Sequence, residues 1–455
     1  MKDIKSIVHG QKAFFFTGQT KDLNFRKKKL QELKNLIKTH EKFLSDEIKQ
    51  DLQKSPSLTF LTEFSFVYSE IDEAIKHLHD WARPVKVKTN VTNFPGKSFI
   101  LSEPLGTTLI IGAWNYPYQL VLAPAIAAIA AGNTAILKPS ELTPRSASAL
   151  KKIINEHFDP GFLHVIDGGV DVTTELLTYG YGKICFTGST AVGKIIAKAA
   201  AETLTPTLLE LGGKSPCLIL PDVDVQIAAK RIVWGKFLNA GQTCIAPDYL
   251  LVHSSLTKKF LDELVHQIKI ILGENPLKHQ GYVQIINQRH LERLEKLIPS
   301  HKVHFGGRAF KEKNYFEPTI LKDVSWDDEC MKEEIFGPIL PVLTFDDLDE
   351  VIKKIQQGAT PLSLYLFTQD QKTQEKILRE LSFGGGCIND VVMHFTNSEL
   401  PFGGVGPSGL GSYHGVHGFK AFSHQKSILK KGFWPDPSLK YNPYSKLKLK
   451  MMRLL

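Results

Sequence analysis

Residues 107–113 read TTLIIGA, and four later runs repeat their character: TAILKP (134–139), FLHVIDG (162–168), KICFTG (183–188) and PTLLELG (206–212). Each is a short, almost wholly apolar run of strand length, and the segments between them, such as 145–158 and 190–203, carry helical spacing. Strands that alternate with helices in this way imply βαβ units and a parallel sheet. A second series follows: SPCLILP (215–221), a helix over 224–239, YLLVHSS (249–255), a helix over 256–271, FEPTIL (316–321), LPVLTF (340–345), a helix over 348–357, LSLYLFT (362–368) and a helix over 371–382. The sequence therefore predicts an α/β chain with two such sheets that part near Gly212-Gly213. Upstream, Leu30, Leu33, Ile37 and then Leu44, Ile48, Leu52 recur every three or four residues, as do Ile71, Ile75 and Leu78, so the first eighty residues read as helical. Arg83-Pro84 closes that block, and the turn residues Asn93-Phe94-Pro95-Gly96 predict a small hairpin between Val85 and Leu101.

At 455 residues the chain has room for about two to four domains, and 42% hydrophobic with 23% charged residues is an ordinary globular composition. The net charge of +9 would suggest nucleic acid if it were spread over a face. It is concentrated instead in residues 426–455, which hold eight basic side chains against the single acid Asp436, so no nucleic-acid partner is expected. Five cysteines spaced by dozens of residues make neither a disulfide framework nor a zinc ribbon and suit a reducing cytosol. The N-terminus has no signal-type apolar core. The uncharged stretch from Pro104 to Leu137 could pass for a membrane span. Asn115, Pro117, Pro124, Gly132 and Asn133 would interrupt such a helix, so it reads as strand, loop, buried helix, strand. Ten glycines between 384 and 425, interleaved with aromatic residues, indicate irregular backbone packed closely on something.

Cys244 lies in FLNAGQTCIAPD (237–248), where small and polar neighbours let backbone amides approach a sulfur, as an attacking thiolate and a developing oxyanion require. Cys185 and Cys217, within apolar strands, read as inert core. Glu210, in LLELGGKS (208–215), is an acid in an apolar strand: either desolvation raises it toward a useful base, or it pairs with Lys214 or another cation. Gly188-Ser-Thr-Ala-Val-Gly193 follows a strand and opens a helix, so its amides could hold a phosphate, although a plain strand-to-helix turn would look alike. Lys138-Pro-Ser-Glu141 places a cation and a carboxylate where a ribose could bind, or forms a solvated turn.

The ordered series Ala113-Trp-Asn-Tyr-Pro117, Leu137-Lys-Pro-Ser-Glu141, Phe186-Thr-Gly-Ser-Thr190, Leu209-Glu-Leu-Gly-Gly213, Gly241-Gln-Thr-Cys244 and Glu333-Glu-Ile-Phe-Gly-Pro338 resembles the NAD(P)-dependent aldehyde dehydrogenase superfamily from about Lys21 to His424. Cys244–Tyr249 and Ser412-Tyr-His-Gly415 resemble its class 3, fatty-aldehyde and coniferyl-aldehyde branch. The resemblance implies two Rossmann-like domains, one for the cofactor (1–81 and 103–210) and one catalytic (211–388). It also implies a small bridging β-domain (82–102 and 389–425) through which homodimers form, followed by a basic tail (426–455). It implies Cys244 as nucleophile, Asn115 as oxyanion donor and Glu210 as the activator of water. The cofactor would lie against Trp114, Lys138, Glu141, Gly188, Ser189, Thr190, Ala191, Val192, Gly193, Leu211, Glu334 and Phe336, with NAD expected and NADP as the alternative. No metal is expected. An aldehyde would leave as the carboxylic acid. A CoA-acylating enzyme, a cysteine hydrolase and a chain without activity are the rivals, and the first is disfavoured by Glu210. The tail could bind an anionic membrane surface, but a frayed or locally packed terminus is the preferred reading.

Overall fold

The computed structural model describes residues 3–279 and 281–453. Its first sheet has six strands in the order Gly409–Leu410, Thr207–Glu210, Lys183–Thr187, Thr107–Ile111, Thr134–Lys138 and Leu163–Val165. All neighbours run parallel except Gly409–Leu410, which lies antiparallel on Thr207–Glu210. The chain enters at the middle of this sheet, builds outward to Leu163–Val165, then returns to the other side. The winding therefore reverses between Thr107–Ile111 and Lys183–Thr187, and such a reversal opens a crevice at the carboxyl ends of the two strands.

Alternation along the strands divides the interior in two. Ile110, Leu137, Cys185 and Leu208 enter a large core with the helices Leu23–Thr39, Ser65–Ala82 and Gln119–Ala131. Leu109, Ile111, Ile136, Ile184, Phe186 and Leu209 enter a smaller one closed by Ile4–Phe16 and Thr190–Glu202. Both faces are covered, which is why these strands read as continuous apolar runs. All thirteen residues of Gln119–Ala131 are buried, and Pro124 sits inside the helix rather than interrupting it, contrary to expectation. A mid-helix proline costs about 3 kcal/mol, but burying one Leu, Val or Ile side chain returns roughly 1.5–3 kcal/mol, and this helix buries five. Gly132, with φ of 92°, ends it.

The second sheet has seven strands in the order Val303–Phe305, Thr319–Leu321, Ile339–Phe345, Tyr249–His253, Pro216–Ile219, Ser363–Phe367 and Gly385–Ile388. The expected strand FEPTIL is divided: Tyr315–Phe316 pairs with Ala309–Phe310 in a separate ribbon, and Thr319–Leu321 joins the sheet. Pro318 between them has no N–H to give a ladder.

Val85–Val87, Lys97–Pro104 and Ser423–Lys430 form a third, antiparallel sheet. The hairpin is where the turn residues put it, but two boundaries need correction. Ser423–Lys430 runs through 425/426, so residues 426–430 are strand and not tail. Most of 389–425 belongs with the first sheet: Gly409–Leu410 forms its edge, and the helix Gly415–Ala421 packs on Gln119–Ala131 and Ser65–Ala82. The glycines explain the misreading. A Cβ on Gly403 would lie 2.2 Å from the Gly411 carbonyl oxygen, and one on Gly404 would lie 2.2 Å from that of Ser408. This is backbone packed on backbone, with no apolar period to read.

Beyond Lys430 the chain lies on the surface, with Phe433 and Trp434 exposed and a short helix at Lys446–Met452. Leu454 and Leu455 of the expected tail lie outside the described residues. Among the described residues no helix is long and apolar enough to cross a membrane.

Candidate active site

The crevice opens into a cavity of about 700 Å³, lined by Ala113–Asn115 and Thr187–Ala191 from the first sheet, Glu210–Lys214 at the passage between sheets, and Cys244, Glu333, Glu334 and Phe336 from the second half. Cys244 is placed by a strained loop. After the helix Val225–Phe237, Asn239, Ala240 and Gly241 all take left-handed conformations, with φ of 53°, 52° and 71°. Each of the two non-glycine residues costs about 1–2 kcal/mol, so the surroundings must hold them. Asn239 Nδ2 donates to the carbonyls of Asn115 (3.1 Å) and Gln242 (3.2 Å). The Gln242 amide donates to Asn239 O (3.1 Å) and Gln284 O (2.9 Å), and accepts from Ile286 N (3.0 Å). A Cβ on Gly241 would lie 2.2 Å from the Gly337 carbonyl oxygen, so glycine lets the thiol loop touch the Glu333–Pro338 segment.

Asn115 is buried, and its Nδ2 donates to Gln242 O at 3.0 Å, which leaves one amide N–H for a ligand. Its own carbonyl also accepts from Lys54 Nζ at 3.2 Å. Lys54 pairs with Glu63 at 3.0 Å with both side chains fully buried. The other Glu63 oxygen accepts from Tyr118 N (3.1 Å) and Gln119 N (2.9 Å), at the start of the buried helix. Sequence reasoning missed this pair because charges in an amphipathic stretch read as solvated; the one available signal was Glu63 set among Phe60, Leu61, Phe64 and Phe66. Lys54→Met should lose about 3–5 kcal/mol of stability, because it strands a buried carboxylate. Lys54→Met with Glu63→Gln should lose less, and urea unfolding of the three proteins measures the difference.

Burial pushes the Cys244 thiol up to about 12, with the charges of Glu334 and Glu210 adding to it, while the backbone N–H groups of Cys244 and Ile245 pull it down. Burial also raises Glu210 well above the carboxylate range, and neither of its oxygens has a hydrogen-bond partner in the protein. Among the described residues Glu210 has no ion pair: Lys214 instead pairs with Asp248 and donates to Cys330 O (2.7 Å) and Glu333 O (2.9 Å). Glu334 is pushed up to about 8 by burial and by Asp248, while the Gly213 amide opposes the shift. A Cβ on Gly212 would lie 1.9 Å from Glu334 Oε2, so that glycine makes room for the carboxylate. Asp248 and Arg293 fix the loop behind it, Asp248 Oδ1 accepting from Ile335 N at 3.0 Å and Arg293 donating to Glu334 O at 3.3 Å.

Gly188 leaves its strand with its N–H on Glu210 O (3.0 Å), and Ser189 caps the helix Thr190–Glu202, its Oγ accepting from Val192 N at 3.4 Å. Gly188, Ser189, Thr190, Ala191, Leu211, Glu334, Phe336 and Trp114 all line the cavity. Val192 and Gly193 lie outside the lining; a Cβ on Gly193 would strike Leu211 at 2.5 Å, so this glycine serves packing. Lys138 and Glu141 also lie outside it, at the carboxyl end of the neighbouring strand Thr134–Lys138. There Lys138 Nζ is buried, donates to Pro139 O at 2.9 Å and sits 3.5 Å from Glu141. Lys214 was singled out from sequence only as a partner for Glu210, and Asp248, His290 and Arg293 were not singled out at all. Asp248 had a signal, an acid directly after the apolar Ile245-Ala-Pro, whereas His290 and Arg293 sit on a strongly charged helix that looks wholly solvated.

The parts suit a dinucleotide. A helix N-terminus offers unpaired amides to a phosphate, the glycine exit admits close approach, and the carboxylates of Glu333 and Glu334 line the same cavity. A half-buried thiol and two carboxylates of raised pKa line the same cavity, which defines a pyridine-nucleotide oxidoreductase acting on a carbonyl carbon through sulfur. The chain belongs to the aldehyde dehydrogenase family, which it matches over residues 2–428. It is 45% identical over 446 residues to the 4,4'-diaponeurosporen-aldehyde dehydrogenase of Staphylococcus aureus, covering 98% of this chain and 97% of that one. It is 43% identical over 440 residues to the dimeric NADP-preferring aldehyde dehydrogenase of Canis lupus familiaris, covering 97% of each. A solved substrate-bound structure of Staphylococcus aureus AldH superposes with a TM-score of 0.97 at 44% identity, covering 100% of this chain and 99% of that one. These relatives put the chain in the class 3, fatty-aldehyde-like branch, and it oxidises aldehydes to carboxylic acids with NAD(P)+.

Proposed function

We propose that Cys244 is the nucleophile, that Asn115 and the Cys244 backbone N–H hold the oxyanion, and that Glu210 activates the water that frees the acid. The observation that carries this is the convergence of the three side chains on one cavity, each from a separately anchored segment. Before attack the Cys244 proton must go to a carboxylate, and burial has made both Glu210 and Glu334 better proton acceptors than free carboxylates. Sulfur adds to the aldehyde carbon, and the free N–H of Asn115 stabilises the oxygen that becomes charged. When bound, the nicotinamide accepts the hydride that leaves this carbon. Water deprotonated by Glu210 then adds to the thioester, the C–S bond breaks, and the carboxylic acid departs. Gly188–Ala191 would hold the pyrophosphate, Trp114 and Leu211 would border the nicotinamide, and Glu334 with Phe336 its ribose. Val192, Gly193, Lys138 and Glu141 remain proposed cofactor contacts outside the lining.

NAD is the proposed preference, because a carboxylate at Glu141 suits a ribose 2′-OH and repels a 2′-phosphate. The pairing of Glu141 with Lys138 softens that repulsion, so NADP should also be accepted. Steady-state kinetics with both nucleotides, over aldehydes of graded chain length and aromaticity, should give a higher kcat/KM with NAD and the carboxylic acid as product. A kcat/KM strongly favouring NADP would reverse the assignment. A homodimer built through the exposed Val85–Val87 hairpin and the Ser423–Lys430 strand is proposed, supported by the dimeric relative; sedimentation at micromolar concentration tests it. Five free cysteines support a reducing, cytoplasmic setting.

A further inference from the structure

Three groups facing the large core of the first sheet have no hydrogen-bond partner among the described residues: the Thr187 hydroxyl, both Glu210 oxygens and the Tyr413 hydroxyl, on side chains that are each less than a tenth exposed. Backbone register brings them together. Thr187 and Glu210 are directly paired across adjacent parallel strands, and with a period of two they share the face of Cys185 and Leu208. The other neighbour of Glu210 is Gly409. Two residues on, Gly411 takes a φ of +85°, and a Cβ there would lie 2.9 Å from Leu208 Cδ1, so this part of the chain turns over the same face. Two residues further, Tyr413 closes the hairpin on Phe402 through reciprocal backbone hydrogen bonds of 3.0 and 2.8 Å. Its ring is buried in the core that holds Leu208 and Cys185. Of the charges acting on its hydroxyl, that of Glu210 is the strongest, ahead of Cys185, Glu70 and Cys244.

We propose that Tyr413 is a positioning residue for Glu210: its hydroxyl, together with that of Thr187, donates to the Glu210 carboxylate through a bound water and holds it ionised and oriented for deacylation. This rests on the assignment of Glu210 as the base. The physical reasons are two. A buried carboxylate without donors is held protonated, and a protonated Glu210 takes no proton from water. A buried phenol without an acceptor is itself unfavourable, and a face that presents several polar atoms is where a water is retained. In the step concerned, one water proton passes to Glu210, the water oxygen bonds to the acyl carbon, the C–S bond breaks and Cys244 leaves as thiolate. Tyr413 keeps its proton throughout. The other titratable groups around Glu210 are Cys185 on the adjacent strand, Cys244 and Glu334 across the cavity, and Glu70 behind Tyr413 on the helix Ser65–Ala82. Lys183, further down the strand of Cys185, is a cation that acts on that thiol, but the shift of Glu210 itself is set by burial, so hydroxyl donors are what can favour the carboxylate.

Tyr413→Phe removes one oxygen atom. The first NADH burst per active site should be unchanged, while decay of the acyl-enzyme, followed by intact mass against pH, should slow about tenfold at neutral pH. The acid limb of that decay should move to higher pH, because loss of a donor to the charged form raises the pKa of Glu210. Site-specific 3-fluorotyrosine at 413, a more acidic phenol and better donor, should move the limb the opposite way, and it tests the idea even if Tyr413→Phe fails to fold. A purely structural phenol would lower Tm and leave the limb in place, so an unmoved limb overturns the proposal. If Glu210→Gln traps acyl-enzyme while the Tyr413 variants leave the limb unmoved, only this proposal falls. If Glu210→Gln turns over normally, the assignment of the base falls first.

Discussion

Cys244→Ser is expected to abolish NADH formation, with turnover falling below detection for every aldehyde tested. Serine keeps the shape of the loop, whose hydrogen bonds run through Asn239 and Gln242 and not through the sulfur. Folding and nucleotide binding should therefore survive. What is lost is a sulfur whose proton an adjacent carboxylate can take while the amides of Cys244 and Ile245 favour the thiolate, for an alkoxide is far harder to generate in the same place. Serine at Cys185, Cys217, Cys330 or Cys387 should leave turnover within a few-fold. Cys185 and Cys217 are buried on strands, Cys330 is buried on a short helix, and Cys387 lies on an edge strand against His394. Substantial NADH formation by the Cys244→Ser enzyme would remove the nucleophile from this loop.

Glu210→Gln should divide the reaction in time. Sulfur addition and hydride transfer need a proton acceptor for the thiol, which Glu334 can provide, so one burst of NADH per active site should remain. Deacylation should then slow by roughly 10²–10⁴, the usual loss when a general base is removed. Intact-mass measurement should find the substrate's acyl group on Cys244. Glu334 is the natural competitor for the role, but its carboxylate is already engaged by the Gly213 amide, whereas that of Glu210 makes no direct hydrogen bond to any described residue. Accumulation of acyl-enzyme in Glu334→Gln but not in Glu210→Gln would transfer the role. Loss of the burst in Glu210→Gln would make Glu210 necessary for forming the thiolate.

The legible parts of the chain were those in which local chemistry and final position coincide. Strands such as Thr107–Ile111 and Lys183–Thr187 are covered on both faces, so burial writes itself into every residue. Cys244 and Glu210 stand out because a small-residue loop around a sulfur and an acid in an apolar strand are locally anomalous. Lys54 and Glu63 were illegible for the opposite reason: a lysine in the link after the helix Glu41–Leu52 and a glutamate in the next helical segment are each ordinary, and only the tertiary fold seals both from water. Gly409–Leu410 and the helix Gly415–Ala421, expected in the bridging sheet, lie with the first sheet because their position depends on glycines that admit foreign backbone, which no periodicity records. Lys138 and Glu141 were read from a strand end, and the structure puts that end one strand away from the cavity lining.

The sheet that joins Lys97–Pro104 to Ser423–Lys430 also bears on how the protein is made. Ser102 and its partner Gln425 are separated by 323 positions in the chain, so at 5–20 residues per second the first strand emerges from a ribosome roughly fifteen seconds to a minute before its partner exists. In that interval one edge of Lys97–Pro104 is unpaired, with Phe99, Ile100 and Leu101 along it, while Val85–Val87 can cover the other. Nascent chains would carry this open edge in polysomes, where many copies are close together, and non-local strand pairing of this kind is slow to complete. Lys97, which opens the strand, puts charge at that edge, so two nascent copies aligned there in the same direction repel one another until the carboxyl-terminal strand arrives.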